Sequence, residues 1–210
     1  MDIIIDTEVV AIFTEDGFVD SVGEDISAGL VLKSTSFYAE AGGQDPDLGT
    51  IRTDNGLFEV TDVQTYGGYI LHTGRLVNGT TKVGEGVKCV VDYERRRKIA
   101  PNHTMTHVLN AGLKKVLGDG VEQRGSLCNE DKLRFDFSHK KALTLEELSE
   151  VEMYVRGVVD LSQPVEDVFM PLVDAQKIEG VRAVFGEVYP DPVRVVTVGT
   201  NNLQLQLSKN

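Results

Sequence analysis

Short apolar runs separated by turn signals mark the first part of the chain. The segment Asp54-Asn55-Gly56 is a hairpin signal, because asparagine and glycine tolerate the positive φ that tight turns need. Many short strands joined by close turns are typical of a small closed barrel. The predicted strands are Val9–Phe13, Gly29–Leu32, Leu48–Thr53, Leu57–Tyr66, Tyr69–Leu76 and Val87–Tyr93.

The second part of the chain alternates predicted helices and strands. Apolar residues at helical spacing predict a helix that begins after Asn102, its N-cap, and stops at Gly118. Residues Lys132–Phe137 alternate between apolar and charged, which predicts a half-buried strand. Three elements follow: a helix from the capping box Thr144–Glu147 to a point before Pro164, a short helix between Pro171 and Gly180, and a strand at Val193–Val198.

A basic run, Glu94-Arg95-Arg96-Arg97-Lys98, separates the two parts, and Pro101 is expected to break the chain just before the helix. The boundary is therefore predicted near residues 94–100. It divides the chain into a β-barrel domain at 1–94 and a second domain at 95–210. The predicted fold class is α+β, with an N-terminal small β-barrel followed by an α/β core in which helices pack on a sheet.

Composition excludes some classes of protein and leaves others open. The 210 residues contain no apolar run long enough for a membrane span and no basic start typical of a signal peptide. Two distant cysteines fit a reducing compartment, so a cytoplasmic location is expected. The net charge of −12 argues against a nucleic-acid partner, but residues 95–141 carry eleven basic and five acidic side chains. That region is either a solvated charged face or a footprint for a phosphate-bearing partner.

Two histidines four positions apart, His103 and His107, carry the candidate chemistry of the predicted helix. Residues i and i+4 lie on one face of a helix, so both imidazoles can ligate one metal ion such as zinc. Thr104 stands where a metalloprotease of this spacing has its glutamate, so that class is excluded. By themselves the histidines are either metal ligands or ordinary surface residues.

The segment Gly42-Gly43-Gln44 is a second candidate site. Two glycines permit an unusual turn or a close approach of another backbone. No helix pattern follows the segment, so it is not a nucleotide-phosphate loop of the P-loop kind. It is either a structural turn or part of a substrate-binding loop.

Five motifs occur together along the chain: Phe37-Tyr38-Ala39-Glu40 with Gly42-Gly43-Gln44, His103-x-x-x-His107, Gln123–Leu127, Arg134–His139 and Arg182–Val196. In this combination they resemble the editing domain of alanyl-tRNA synthetases and the related free-standing alanyl-tRNA editing proteins. The last motif is closer to the eukaryotic-type synthetases. The resemblance implies a β-barrel joined to an α/β editing core, and hydrolysis of the ester that links serine or glycine to the alanine tRNA.

The resemblance also implies residue roles. His103 and His107 are expected to bind zinc, and Thr106 and Gln123 to act in catalysis. Gly42, Gly43 and Gln44 are expected to contact substrate, and Arg95, Arg96, Arg97 and Lys98 to contact tRNA. His72, His139 and Cys128 are expected to be structural.

The chain departs from the family pattern in one respect that leaves two functions open. The family's other two zinc ligands lie in a Cys-x-x-x-His segment after the Pro-Asp-Pro strand, and this sequence has no such segment. It also shows no ATP site, so aminoacylation by this chain alone is not expected. The first reading is an editing hydrolase, with the rest of a synthetase as partner if the chain is a fragment. The second is a catalytically incomplete module that binds tRNA or a protein.

Overall fold

The structure is a computed structural model that describes residues 4–178, 181 and 189–199. Within them the chain forms twelve strands and three helices, which confirms the predicted α+β class. The described residues up to Thr106 form one compact unit with Gly125–Asp136, and His107–Arg124 form another with the described residues from Phe137 onward. The predicted domains 1–94 and 95–210 stay a prediction.

Six antiparallel strands of the first unit close into a barrel. The strands of this unit are β1 (Ile5–Thr14), β2 (Gly17–Val19), β3 (Ser21–Gly23), β4 (Ser27–Leu32), β5 (Gly49–Arg52), β6 (Gly56–Tyr66), β7 (Tyr69–Lys82) and β8 (Gly86–Val91). In the barrel, neighbouring strands run in the order β1-β4-β7-β6-β5-β8, and β8 pairs back onto β1. Two short strands that were not predicted, β2 and β3, pair with β1 and β7.

Side chains that alternate along these strands fill the barrel. Ile12, Leu30 and Phe58 are completely buried, as period-two patterning requires of inward positions. His72 is buried among them: its Nδ1 lies 2.9 Å from the carbonyl oxygen of Leu30, and its Nε2 lies 2.8 Å from the hydroxyl of Thr35. With both nitrogens bonded inside the barrel, His72 takes part in its structure, as expected.

The predicted hairpin between β5 and β6 is present, but its geometry differs from the expectation. Neither Asn55 nor Gly56 has a positive φ. The hydroxyl of Thr53 accepts a hydrogen bond from the amide of Asn55 and donates one to the carbonyl of Gly56. A Cβ on Gly56 would lie 2.8 Å from the carbonyl oxygen of Asn78. Glycine is needed here for close packing rather than for its torsion angle.

The helix that carries His103 is longer than predicted. Helix α1 (Tyr93–Leu117) begins one residue before the basic run and contains Pro101, so the predicted start at Asn102 and break at Pro101 are wrong. Asp92 is the N-cap, because its carboxylate accepts the Arg95 amide proton at 3.0 Å. Pro101 is exposed, so its ring costs one backbone hydrogen bond without displacing packed neighbours.

The remaining elements form two small sheets and two helices. Strands β9 (Gln123–Cys128) and β10 (Leu133–Phe137) form one sheet, and β11 (Val165–Met170) pairs with β12 (Val193–Val198) in the other. Helix α2 (Leu145–Asp160) begins at the predicted capping box, with both reciprocal bonds present. Helix α3 (Leu172–Ala175) follows Pro171 as predicted but ends at Ala175, so the predicted stop at Gly180 is wrong. No helix in the described part is long and apolar enough to cross a membrane.

Candidate functional site

A loop of the first unit, Tyr38–Asp47, carries the predicted substrate-binding residues, and we call it the glycine loop. Its two ends are joined, because the Tyr38 amide donates to Oδ2 of Asp47 at 2.6 Å and the Asp47 amide donates to the Tyr38 carbonyl at 3.0 Å. The Tyr38 hydroxyl also donates to the Ala41 carbonyl at 2.9 Å. The loop is therefore held in one shape by its own hydrogen bonds.

The two glycines of this loop are required by its geometry. Gly42 has φ +60° and Gly43 has φ +80°, a region that side chains disfavour. A Cβ on Gly43 would lie 2.3 Å from the carbonyl oxygen of Ser126, and one on Gly42 would lie 3.0 Å from Cε1 and Nε2 of His103. The glycines thus allow β9 and α1 to approach the loop backbone.

Three hydrogen bonds fasten the glycine loop to β9. The Cys128 amide donates to the Gly43 carbonyl at 2.6 Å, and the Asp45 amide donates to the Cys128 carbonyl at 3.0 Å. The Ser126 hydroxyl donates to the Gly42 carbonyl at 3.0 Å. Burial, reinforced by the charge of Asp45, raises the pKa of the Cys128 thiol. The thiol form is a poor ligand and nucleophile, so the contribution of Cys128 is the backbone contact.

His103 contacts the glycine loop through its ring. Its Nδ1 lies 3.1 Å from Oε1 of Gln44, a side chain that is only 5% exposed. An amide oxygen accepts hydrogen bonds, so the contact with Oε1 is a hydrogen bond in the tautomer that carries its proton on Nδ1. His103 itself is half-buried. The site therefore presents one oriented imidazole beside an exposed glycine, Gly42.

The other predicted catalytic and metal residues are placed as follows. Thr106 is 1% exposed, and its hydroxyl donates to the His103 carbonyl at 2.6 Å. In the second unit, His107 is exposed on α1, four positions after His103, and Gln123 is half-buried at the start of β9. The first unit thus brings Gln44 and His103 together, and the roles given to Thr106, His107 and Gln123 stay predictions.

The predicted tRNA-binding run divides into two pairs of side chains. Arg95 lies 3.5 Å from Asp45 and donates to the Pro46 carbonyl at 2.6 Å. Arg96 pairs with Asp47, whose side chain is 3% exposed, and lies over the ring of Tyr93. These two cations hold the glycine loop against α1, a role that the sequence did not reveal. Arg97 and Lys98 are exposed, so they are the residues of this run that are best placed to contact phosphates.

The described residues do not fit a complete zinc site. Two imidazoles at i and i+4 supply two nitrogen ligands, whereas a catalytic zinc has three protein ligands. In the described ranges, no group of three or more His, Cys, Asp or Glu side chains is placed to hold a metal ion. No catalytic step is therefore derived through zinc.

Comparison with known proteins shows similarity to tRNA synthetases and, among them, to alanine–tRNA ligases. A family model described as class II tRNA synthetases (A) matches residues 2–95. The alanine–tRNA ligase of Candida albicans is 47% identical over 196 residues, covering 92% of this chain and 20% of the relative. The alanine–tRNA ligase of Schizosaccharomyces pombe is 49% identical over 174 residues, covering 82% of this chain and 18% of the relative. The cytoplasmic enzyme of Dictyostelium discoideum is 44% identical over 206 residues, covering 96% and 22%.

The chain corresponds to a region of alanine–tRNA ligases, as the resemblance of its motifs implied. It spans about a fifth of the length of the curated relatives it matches. The cytoplasmic location stays a prediction for this chain.

Proposed function

We propose that the chain is an editing module that hydrolyses the ester linking serine or glycine to the alanine tRNA. Its family and its motifs support this choice, since the relatives are ligases that handle alanine tRNA by name. The proposal assigns the chain a hydrolase activity and no aminoacylation of its own.

The observation that carries the proposal is the oriented imidazole of His103. Its Nδ1 is engaged by Gln44, and its Nε2 lies next to Gly42, where a side chain would fill the adjacent space. A neutral histidine at a partly open position is suited to general base catalysis. Only glycine at position 42 leaves room for a small acyl group or a water beside that nitrogen.

The proposed reaction is ester hydrolysis with His103 as the base. Nε2 accepts a proton from water, and the water oxygen forms a bond to the ester carbonyl carbon. The bond between that carbon and the ribose oxygen then breaks, and the proton passes to the ribose oxygen. The products are the free amino acid and a tRNA with a free terminal hydroxyl. Gln123 and Thr106 are proposed to help place the aminoacyl group, as the family implies.

A deacylation assay tests this function. Seryl-tRNA specific for alanine is incubated with the chain, with His103→Ala, and with a control variant of an exposed histidine outside the site, His139→Ala. We expect His103→Ala to lower the rate of serine release by about 10²-fold or more, the usual contribution of a general base, and His139→Ala to leave it unchanged. Equal rates for all three proteins, or no release by any, would rule the proposal out.

The second candidate function is that of a binding module without catalysis. The burial and the hydrogen bond of Thr106 favour it. The proton of its hydroxyl is engaged by the His103 carbonyl and the side chain is 1% exposed, which is the arrangement of a helix threonine that bonds its own backbone. A chain that binds alanine tRNA with the affinity of an editing module but releases no serine would establish this alternative.

A further inference from the structure

Two exposed tyrosines stand at the tip of the hairpin between β6 and β7, in the segment Tyr66-Gly67-Gly68-Tyr69. We propose that they form a stacking platform for the unpaired bases at the end of the tRNA that carries the amino acid. The inference rests on the proposed function, because it identifies the part of that substrate which the barrel binds. None of the sequence motifs includes either tyrosine.

The hairpin places both aromatic side chains on one face of the sheet. Tyr66 and Tyr69 are directly opposite each other in the register of β6 and β7. Residues in such a pair point to the same face, with Cβ atoms about 4.5–5.5 Å apart. The turn between them has φ +57° at Gly67 and +86° at Gly68, as two-residue hairpin turns require. The backbone therefore holds the two side chains next to each other.

The two rings are open to solvent. Tyr66 is 62% exposed and Tyr69 is 66% exposed. Apart from chain neighbours, no atom of the described residues lies within 4 Å of a Cβ built on Gly67 or Gly68. Contiguous exposed aromatic surface, unlike a single scattered side chain, marks an interaction site. A ligand with a flat face of its own can therefore approach the platform without displacing the turn.

The lack of charge along this hairpin favours stacking as the mode of binding. No Asp, Glu, Lys or Arg occurs between Asp62 and Arg75. Such a tip neither repels phosphates nor attracts them, so its affinity comes from the rings. Every nucleobase has a π face, and stacking on exposed aromatic side chains is how proteins hold single-stranded nucleic acid without reading its sequence.

The platform lies beside the start of the glycine loop. The Glu40 amide donates to the Val63 carbonyl at 2.9 Å, and Gln64 donates to the Glu40 carboxylate at 2.6 Å. Gln64 and Tyr66 are two positions apart on β6, so they share a face and their Cα atoms are about 7 Å apart. The ester and the terminal base are attached to the same ribose. A base on the platform therefore keeps the ester close to the glycine loop.

Fluorescence tests the stacking directly in the full chain. The sequence contains no tryptophan, so Tyr66→Trp places a single indole on the platform. Uncharged alanine tRNA should quench its fluorescence, because a base stacks on the indole, and the same tRNA without its unpaired terminal nucleotides should not. The matched control is Phe18→Trp, at a 78% exposed aromatic position of the hairpin between β1 and β2, which should respond to neither tRNA.

Affinity gives the second readout. Tyr66→Ala combined with Tyr69→Ala should raise the Kd for uncharged alanine tRNA by about 5- to 100-fold, the usual loss when a stacked base loses its aromatic partner. Tyr66→Phe combined with Tyr69→Phe keeps both rings and should bind as the parent chain does. Because stacking releases no counterions, the double alanine variant should keep the salt dependence of the parent chain. Phe18→Ala should leave both the Kd and its salt dependence unchanged.

Each outcome decides the proposal. Fluorescence of Tyr66→Trp that does not change, equal quenching by the two tRNAs, or an unchanged Kd of the double alanine variant overturns it. Should that variant fail to fold, the fluorescence of Tyr66→Trp alone still decides. Neither readout needs hydrolysis. Quenching by intact tRNA without any release of serine therefore keeps the platform and removes the editing function, and serine release without quenching does the reverse.

Discussion

At the scale of single residues, the barrel stabilises the buried side chain of His72 by hydrogen bonds to both nitrogens of its ring. Thr35 accepts the Phe37 amide proton and bonds Nε2 of His72, and the Leu30 carbonyl bonds Nδ1. Two ring nitrogens and one hydroxyl are thus paired without water. Such a network is stable only while the imidazole stays neutral, because Thr35 must donate to Nε2.

This network predicts a pH dependence of stability. Burial, partly offset by the bond to Leu30, lowers the pKa of His72. Between that lowered pKa and about 6.5, the ordinary value for histidine, the unfolded chain binds more protons than the folded one. His72 therefore adds full stability above about pH 6.5, and this stability is lost as the pH falls towards the folded-state pKa. Urea unfolding should show that the free energy of unfolding falls from pH 7.5 to pH 5.5 in the parent chain and in His139→Gln. The fall should be smaller in His72→Gln.

A second residue-scale prediction concerns Gly43. Gly43→Ala and Gly68→Ala both place a methyl group at positive φ, +80° and +86°, which costs about 1–2 kcal/mol. A Cβ at position 43 would also lie 2.3 Å from the backbone oxygen of Ser126, whereas nothing lies within 4 Å of a Cβ at position 68. Gly43→Ala should therefore lose more free energy of unfolding, measured in urea. Equal losses would show that the glycine loop can move away from β9.

At the scale of elements, the sequence predicted those helices and strands that are marked by a pattern within one segment. It did not predict contacts between segments that are distant in sequence. The alternation in β10 and the capping box of α2 are local, so both elements were predicted from sequence. Strand β11 was missed because its exposed residues break the alternation. The start of α1 was misplaced because Pro101 was taken as a break, although the true cap, Asp92, is itself a recognisable N-cap residue.

The capping box of α2 gives a prediction at this scale. Thr144 accepts the Glu147 amide proton at 3.1 Å, and the Glu147 carboxylate accepts the Thr144 amide proton at 2.8 Å. Thr144→Ala should lower the free energy of unfolding by about 1 kcal/mol. Ser149→Ala, within the same helix, removes a hydroxyl without removing a cap and should be neutral or slightly stabilising. A neutral Thr144→Ala would show that the end of α2 adds little to folding.

At the scale of the whole molecule, the candidate site of the first unit depends on partners that are remote in sequence. Gln44 and His103 are 59 positions apart, and Arg96 and Asp47 are 49 apart. The sequence identified the histidine, the glycines and the basic run as unusual. It did not show that Arg95 and Arg96 face inward, because their acidic partners lie in a loop that no local pattern connects to α1.

The pair of Asp47 and Arg96 gives a prediction about global stability. Asp47 also accepts the Tyr38 amide proton, so Asp47→Ala leaves a partly buried cation and a backbone donor without their partner. The loss should be about 3–5 kcal/mol, as for other buried pairs broken on one side. Asp6→Ala removes the exposed partner of Lys88 and should cost under about 1 kcal/mol. Comparable unfolding midpoints for the two variants would contradict a structural role of the buried pair.

The proposed tRNA contact gives the last prediction. Arg97→Ala combined with Lys98→Ala should weaken binding of alanine tRNA and reduce its dependence on salt, because each phosphate contact releases counterions. The barrel variant Arg75→Ala, which removes an exposed cation paired with Glu59, should change neither the affinity for alanine tRNA nor its dependence on salt. Filter binding or fluorescence titration at several salt concentrations measures the effect. Identical salt slopes for the parent chain and the double variant would exclude phosphate contacts by this pair.

The hydrogen bond between Ser126 and Gly42 joins residues 84 positions apart. During synthesis, the strands of the barrel leave the ribosome before β9, the strand that holds the glycine loop. A chain that ends between His103 and β9 would contain every barrel strand and His103, yet lack the strand that keeps Gly42 and Gly43 in place. Acquisition of function should therefore lag behind acquisition of structure, and a nascent chain should become competent only once its last fastening strand has emerged.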